Sequence, residues 1–502
     1  MELYYILGLP LLFAVVAAAN MLGLKLLHIA DRLTATVVFG LILDMAAKFA
    51  CHADEPIRQG FFYVDALSIW MMVIVGALYL AFAWTSKAYL ERDTNIRYGY
   101  LRRFTHLEGR FYALSHIFVW TMLLVVTVDS LGLMWVTIEA TTLVSALLVA
   151  FKFTRTSLEA AWKYVMVCTV GICLALLGTI ILYYGQLQAM GDVLPLNWEF
   201  MKVHAQMLDH DVAKLAFAFL FVGYGTKIGL APMHAWLPDA HSEAPALTSG
   251  LLSGALCICA LYVLLRATAI VMPVVGLDFI SSLYMGFGLL TIALAVPFVV
   301  VQRDVKRMLA YSSMENFGLL AAGFGLFMPL AAEASLLHMF NHALIKYMLF
   351  YTAGTMMETY ATKNMMRIHG MMQQAPRTAM FWLLGIVGIL GMPPMGVFFS
   401  KFYIIASFFQ ARHPYLGILA LVLLAGMLIG ILYHAMRMLG GKPTRKAAGE
   451  LLGKLDSCVL LVMLAVSGVV SAFAYELPYV GTLLTEAAKI VLGGVQLWLT
   501  GL

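Results

Sequence analysis

Runs of about 20 apolar residues, each long enough to cross a bilayer, follow one another along this chain and leave no room for a water-soluble core. About fourteen are present. They begin with Tyr4–Leu27 and Leu33–Ala50, continue through Ala161–Tyr184, Leu247–Met272 and Ala331–Met357, and end with Thr378–Met392, Leu416–Leu439 and Val459–Tyr475. The runs are continuous and do not alternate, so they read as helices and not as barrel strands. The closing stretch, Pro478–Leu502, fits either a fifteenth helix or one lying at the interface. Composition agrees, because only 12% of residues are charged, against roughly 25% in soluble domains. The longest polar stretch, Lys87–Arg110, is too short to bury a core. The expectation is an all-α polytopic membrane protein with one membrane domain. No basic segment precedes the first run, which reads as a retained helix.

Charge gives an orientation. With the N-terminus outside, one set of alternating loops holds twenty-one Lys and Arg, including Arg303, Lys306 and Lys363. The other set and the tail hold seven, including Lys202 and Arg266. Basic loops stay in the cytoplasm, so both termini are expected outside the inner membrane. These loops explain the net charge of +5 without a nucleic-acid partner; the expected surrounding is lipid. The six cysteines form no CxxC or haem motif and read as apolar filling. No dinucleotide fingerprint or P-loop is present. No cofactor and no metal is expected in this chain.

Four of the 32 basic residues remain inside apolar spans: Lys163, Lys227, Lys346 and Lys401. All are lysine, which can lose its proton when buried, whereas arginine effectively cannot. A lysine at mid-membrane costs roughly 2.5–3.5 kcal/mol on insertion scales, so each needs a partner or a use. Lys227 lies in GYGTKIGLAPMHAWLPDAHSEAP, five residues before Pro232. Lys401 follows Pro393 and Pro394 in GMPPMGVFFSKF. Proline breaks a helix, and a broken helix beside a lysine at membrane depth has the form of an ion site. The plainer reading is a lysine snorkelling from a helix end. His338, His342 and Lys346 are spaced i, i+4, i+8 and share one helical face. Two histidines at i, i+4 can share zinc, but no third ligand is evident, and a proton relay fits better. Glu139 is a carboxylate inside an apolar run that needs a basic or hydroxyl partner. Glu315 is a weaker candidate of the same kind. Lys163 follows Glu159 by one turn, which suits a local pair as well as a relay. His234, Asp239 and His241 follow the first break and suit proton uptake or a plain polar half-helix. Asp44, Asp65 and Asp129 take no assigned role.

KIGLAPMHAWLPDAHSEAP, HMFNHALIKYMLFYTAG, GMPPMGVFFSKF and IEATTLVSALL resemble, in order, the antiporter-like membrane subunits of respiratory complex I and its relatives. Within that family the chain looks most like the F subunits of hydrogenase-4 and formate hydrogenlyase-type complexes. The resemblance implies fourteen core helices with two inverted five-helix repeats, each containing a broken helix. It divides the chain into N-terminal helices over 1–110, repeats over 111–272 and 273–440, and C-terminal helices over 441–502. It implies proton movement coupled to redox chemistry, with other membrane subunits and a peripheral redox arm as partners, which would carry the iron–sulfur clusters and nickel–iron. Carried over by position, Glu139 and Lys227 serve the first half, His338, His342 and Lys346 the connecting axis, and Lys401 the exit. Many members carry a lysine or histidine where this chain has Ile258, so its axis is expected to lean on water there. The alternatives are a cation/proton antiporter or an inorganic-carbon uptake subunit outside respiration, and a scaffold whose charges only pack.

Overall fold

The computed structural model describes residues 2–19, 24–51, 55–92, 107–191, 195–443 and 447–493. The basic residues Arg97, Arg102, Arg103, Arg445 and Lys446, and the last nine residues of the closing stretch, lie outside the described residues. The chain is mostly helical. Its helices are α1 Glu2–Ala18, α2 Leu24–Cys51, α3 Ala66–Arg92, α4 Leu107–Val125, α5 Leu131–Val149 and α6 Arg155–Met190. Then come α7 His210–Ile228, the half-helix α8 Leu237–Glu243, and α9 Ala246–Val275, which contains a π turn at Leu252–Leu256. After these come α10 Leu277–Val301, α11 Val305–Phe324, α12 Pro329–Tyr360, α13 Pro376–Leu390 and α14 Gly396–Gln410. The last are α15 Pro414–Leu439, α16 Lys454–Ala472 and α17 Pro478–Val491.

Eight of the described helices are long and apolar enough to cross a membrane. Their burial separates two layers. α9 and nearly all of α12 are buried on every side, and α3 is almost as enclosed. α6, α10, α15 and α16 are enclosed on one side only and turn Trp162, Val170, Val301, Val422 and Val462 outward. Apolar residues outside and charges inside is the arrangement lipid demands. Packing inside is close because small residues let backbones touch. A Cβ on Gly223 of α7 would lie 2.6 Å from the Gly171 carbonyl oxygen of α6. One on Gly288 of α10 would meet the Gly318 carbonyl of α11 at the same distance.

Two features depart from the apolar-run reading. A small antiparallel hairpin, Ile57–Gln59 with Phe62–Val64, precedes α3 and pairs Ile57 with Val64. The closing stretch does not supply a fifteenth crossing within its described part. α17 has 14 residues and is about 21 Å long, short of a bilayer core. It buries only the face of Leu483, Leu484, Ala487, Ala488 and Val491.

Arg266 corrects its loop assignment, because it is 1% exposed on α9. Its two terminal nitrogens each lie 2.6 Å from an oxygen of Asp65, and one also reaches Ser68 Oγ at 2.9 Å. The guanidinium lies 4.3 Å from the Trp198 ring centre and 4.9 Å from that of Tyr262. A planar fork that pairs bidentately and stacks on aromatics suits arginine to a buried ion pair. This pair ties the start of α3 to α9. Arg266→Leu is expected to cost about 3–5 kcal/mol, because it strands a buried carboxylate. Adding Asp65→Leu should recover much of the loss, as read by unfolding in detergent micelles.

Candidate functional site

The two proline breaks are built alike. α7 ends at Gly229, whose φ of 90° only glycine adopts readily, and the Leu230 N–H reaches back to the Gly225 carbonyl at 2.9 Å. α13 ends at Gly391, φ 75°, and the Met392 N–H reaches the Val387 carbonyl at 3.2 Å. Each break contains one cis X-Pro bond, Ala231–Pro232 and Pro393–Pro394. Helix ends freed by proline need new partners away from water. At the first break Trp236 Nε1 donates to the Thr226 carbonyl at 2.8 Å, and the Ala231 N–H donates to Thr291 Oγ1 at 2.9 Å. At the second, Asn341 Nδ2 donates to the Gly396 carbonyl at 3.1 Å, while Ser467 Oγ donates to Asn341 Oδ1 at 2.8 Å.

Lys227 is fully buried in the last turn of α7. Its Nζ donates to Thr142 Oγ1 at 2.8 Å and Tyr164 OH at 2.6 Å, and lies 4.7 Å from the Tyr164 ring centre. Tyr164 is in turn 2.7 Å from Ser145 Oγ. Among the described residues Lys227 has no carboxylate within ion-pair distance. Glu139 has a hydroxyl partner, Thr169 Oγ1 at 3.1 Å, while its Oε2 is buried without a partner. It is partly exposed on α5, so its position is less enclosed than a carboxylate in mid-run suggests.

Lys401 is held differently. It sits in the second turn of α14, its stem lying 3.1 Å from where a Cβ on Gly391 would stand, and its Nζ is 2.7 Å from Glu315 Oε1. Glu315 Oε2 accepts from Asn316 Nδ2 at 2.8 Å. That amide nitrogen also donates to the Ser312 carbonyl, so Asn316 Oδ1 is the acceptor for His338 Nε2 at 3.0 Å. His338 Nδ1 meets Ser400 Oγ at 2.9 Å. The result is a continuous buried chain, Lys401–Glu315–Asn316–His338, on three helices.

The α12 stripe then continues inward. His338 and His342 have ring centres 6.4 Å apart, and neither nitrogen of His342 has a partner. Lys346 donates to the Leu309 carbonyl at 2.8 Å and to Ser312 Oγ. Beyond it, His241 of α8 is buried with both nitrogens unpartnered and stacks on Phe350 at 5.2 Å. Ile258 is fully buried in α9 and adds no polar group to this axis.

Two assignments change. Lys163 lies outside the buried set: it is half exposed and pairs with Glu159 at 2.7 Å and Asp239 at 3.4 Å. The reason is helix phase, since its neighbour Tyr164 takes the inward position on α6. Lys306, by contrast, leaves the loop set. It is 2% exposed and donates to the Ala244 carbonyl. Asp304 caps α11 by accepting from the Lys306 and Arg307 N–H groups, so Lys306 already belongs to the helix. The cap in Asp304-Val-Lys-Arg is the sequence signal for this. Nearby, Asp239 pairs with Arg307, and His234 is partly exposed in the break. In the loop after α12, burial alone would lower Lys363, yet Glu243 and Asp304 hold it above its ordinary value. Glu243, Asp304 and Lys363 thus form a charged rim beside Lys306.

Lys401→Met is expected to destabilise the protein by about 3–5 kcal/mol, because Glu315 is left buried and unpaired. The double variant with Glu315→Gln should recover most of this. A double-mutant cycle of thermal unfolding checks the coupling; strictly additive effects would show the pair to be unimportant.

A sequence profile described as NADH:quinone oxidoreductase/Mrp antiporter, TM, matches residues 128–428. That range includes Glu139, Lys227, the α12 stripe and Lys401. The hydrogenase-4 component F homolog of Methylacidiphilum infernorum (isolate V4) is 34% identical over 408 residues, covering 81% of this chain and 84% of that protein. A chain of the membrane-bound sulfane sulfur reductase, an archaeal respiratory membrane complex, shares the fold with a TM-score of 0.84. It is 21% identical, and the match covers 98% of this chain and 100% of that one. A chain of the Mrp complex from Dietzia sp. DQ12-45-1b superposes with a TM-score of 0.81 at 18% identity, over 98% and 97% of the two chains. With more than half its length matched by the profile and a relative this similar across most of both chains, the protein belongs to the NADH:quinone oxidoreductase/Mrp antiporter transmembrane family.

Proposed function

We propose that this chain is the proton-translocating membrane subunit of a complex I-like redox complex of the membrane-bound hydrogenase type. The observation that carries the reading is the buried row Lys346, His342, His338 and Lys401 inside the matched region, in which Lys346, His338 and Lys401 are held by hydroxyl, amide and carboxylate partners and His342 stands between them unpartnered. Such groups can each gain or lose a proton, and neighbours can pass it on. Lys227 holds its proton against two hydroxyls only, so its charge is free to follow its surroundings. Lys401 ends the row next to the second break, which suits the releasing end, and its pairing with Glu315 must loosen for the proton to leave. His241 and Lys306, beneath the charged rim, suit the uptake end, with His234 and Asp239 beside them. Water must carry the proton past Ile258 and between His338 and His342.

Counting α7 with α8, and α13 with α14, as one interrupted crossing each, and leaving α17 at the interface, this reading has fourteen crossings of the inner membrane and both termini outside. It takes 111–272 and 273–440 as inverted five-helix repeats between N-terminal helices over 1–110 and C-terminal helices over 441–502. Electron transfer, iron–sulfur clusters and nickel–iron belong to partner subunits. The family description also includes Mrp antiporters, which favours cation/proton exchange as a second reading.

In the native complex, Lys227→Met should abolish coupled proton movement while assembly persists. Lys227→Arg should do the same, because its guanidinium does not deprotonate. The proton-to-electron ratio in membrane vesicles is the measurement, and an unchanged ratio in both variants overturns the reading. Gentle detergent purification with mass spectrometry should recover redox subunits bound to this chain. Recovery with small membrane subunits alone would favour the second reading.

A further inference from the structure

A second buried titratable cluster lies in α1–α4, outside the matched range 128–428. Asp31 of α2 and His116 of α4 are both fully buried. His116 Nε2 lies 3.2 Å from Asp31 Oδ1, off line for an ordinary hydrogen bond. The other nitrogen, Nδ1, is 2.8 Å from the Tyr112 carbonyl oxygen, so it must carry a hydrogen. A neutral His116 therefore presents the lone pair of Nε2 to a carboxylate oxygen. Two bare acceptors do not rest 3.2 Å apart away from water, so one proton belongs between them.

A polar chain connects this pair to the surface. Ser86 Oγ donates to Asp31 Oδ2 at 3.0 Å. Tyr112 OH lies 3.0 Å from Ser86 Oγ and 2.8 Å from His28 Nδ1. His28 is partly exposed. Among the described residues the chain stops beyond His116 against Phe13, whose ring centre is 4.1 Å away, and Tyr79 at 5.2 Å. The charges around His28 and Tyr112 are Arg32 on α2, Lys87 and Glu91 on α3, and Glu108 on α4; α1 contributes the Phe13 ring.

We infer that Asp31 and His116 form a proton-storage site, filled from the surface through His28, Tyr112 and Ser86. A proton on His28 Nδ1 passes to the Tyr112 oxygen as the phenol proton moves to Ser86 Oγ and the serine proton moves to Asp31. The net transfer is one proton, and no bond between heavy atoms changes. The site is a cul-de-sac, not a crossing. It stands one helix layer from the central axis, since Thr85, next to Ser86, bonds Tyr347 OH at 2.8 Å, and Tyr347 follows Lys346.

The test uses the full chain alone in lipid nanodiscs, so it is independent of redox coupling and of the translocation reading. Infrared difference spectra across a pH step should contain a carboxyl band that shifts in deuterium oxide and is lost in Asp31→Asn. Tyr112→Phe should keep the band but slow its appearance after a rapid pH jump. A spectrum unchanged in Asp31→Asn overturns the site, and equal rates in Tyr112→Phe and the parent overturn the filling route. If Asp31→Asn does not fold, His116→Gln replaces it: the band must then move, and a band that stays overturns the pairing.

Discussion

A helix interrupted inside a membrane frees backbone groups that water cannot satisfy, and those groups must find partners within the protein. This constraint organises the fold around two places, Gly229–Trp236 and Gly391–Met395. The first break is sealed by its own Trp236 indole and by the Thr291 hydroxyl from α10, and the second by Asn341 from α12, itself held by Ser467. Sealing polar backbone with polar side chains makes the neighbourhood of each break less apolar than the spans around it. A lysine is tolerated there, and Lys227 and Lys401 occupy those positions. The buried helix α12 carries the His338, His342 and Lys346 stripe, and α9 is enclosed beside it.

The two lysines show how surroundings hold one side chain in two ways. Lys227 has hydroxyl partners and an aromatic face, which satisfy its donors without neutralising its charge. Lys401 has a carboxylate, which does. A charge with no fixed counter-ion responds to any proton that arrives nearby, whereas a paired one resists. The difference is set by the elements that pack against each lysine, α5 and α6 in one case and α11 in the other.

Buried charge also serves purposes that are plainly structural. Asp65 and Arg266 are as enclosed as the residues of the proposed relay, yet their bidentate geometry and stacked aromatics leave no vacant donor or acceptor to move a proton, apart from Arg266 Nε. Asp31 and His116 differ because their facing atoms are misaligned and open to a hydroxyl chain. Burial alone does not separate these cases; the satisfaction of each polar atom does.

The helical membrane class, the two proline breaks, the lysines beside them and the α12 stripe are all legible in the sequence. Apolar length, proline chemistry and i, i+4 spacing are local properties that need no partner to be read. Which residues meet across helices is not local. Hydropathy assigns Lys306 and Arg266 to loops and Lys163 to the interior, and the fold reverses all three, because a helix cap, a distant aspartate and helix phase decide where a long side chain points. Glu315 reads as a minor candidate until α14 lays Lys401 beside it. The Asp31–His116 pair spans 85 residues and gives no motif at all. The sequence by itself determined that charges would be buried and on which helices most of them would lie. Only the tertiary structure decided their partners, because a hydrogen bond depends on a few ångströms between elements that the order of residues does not specify.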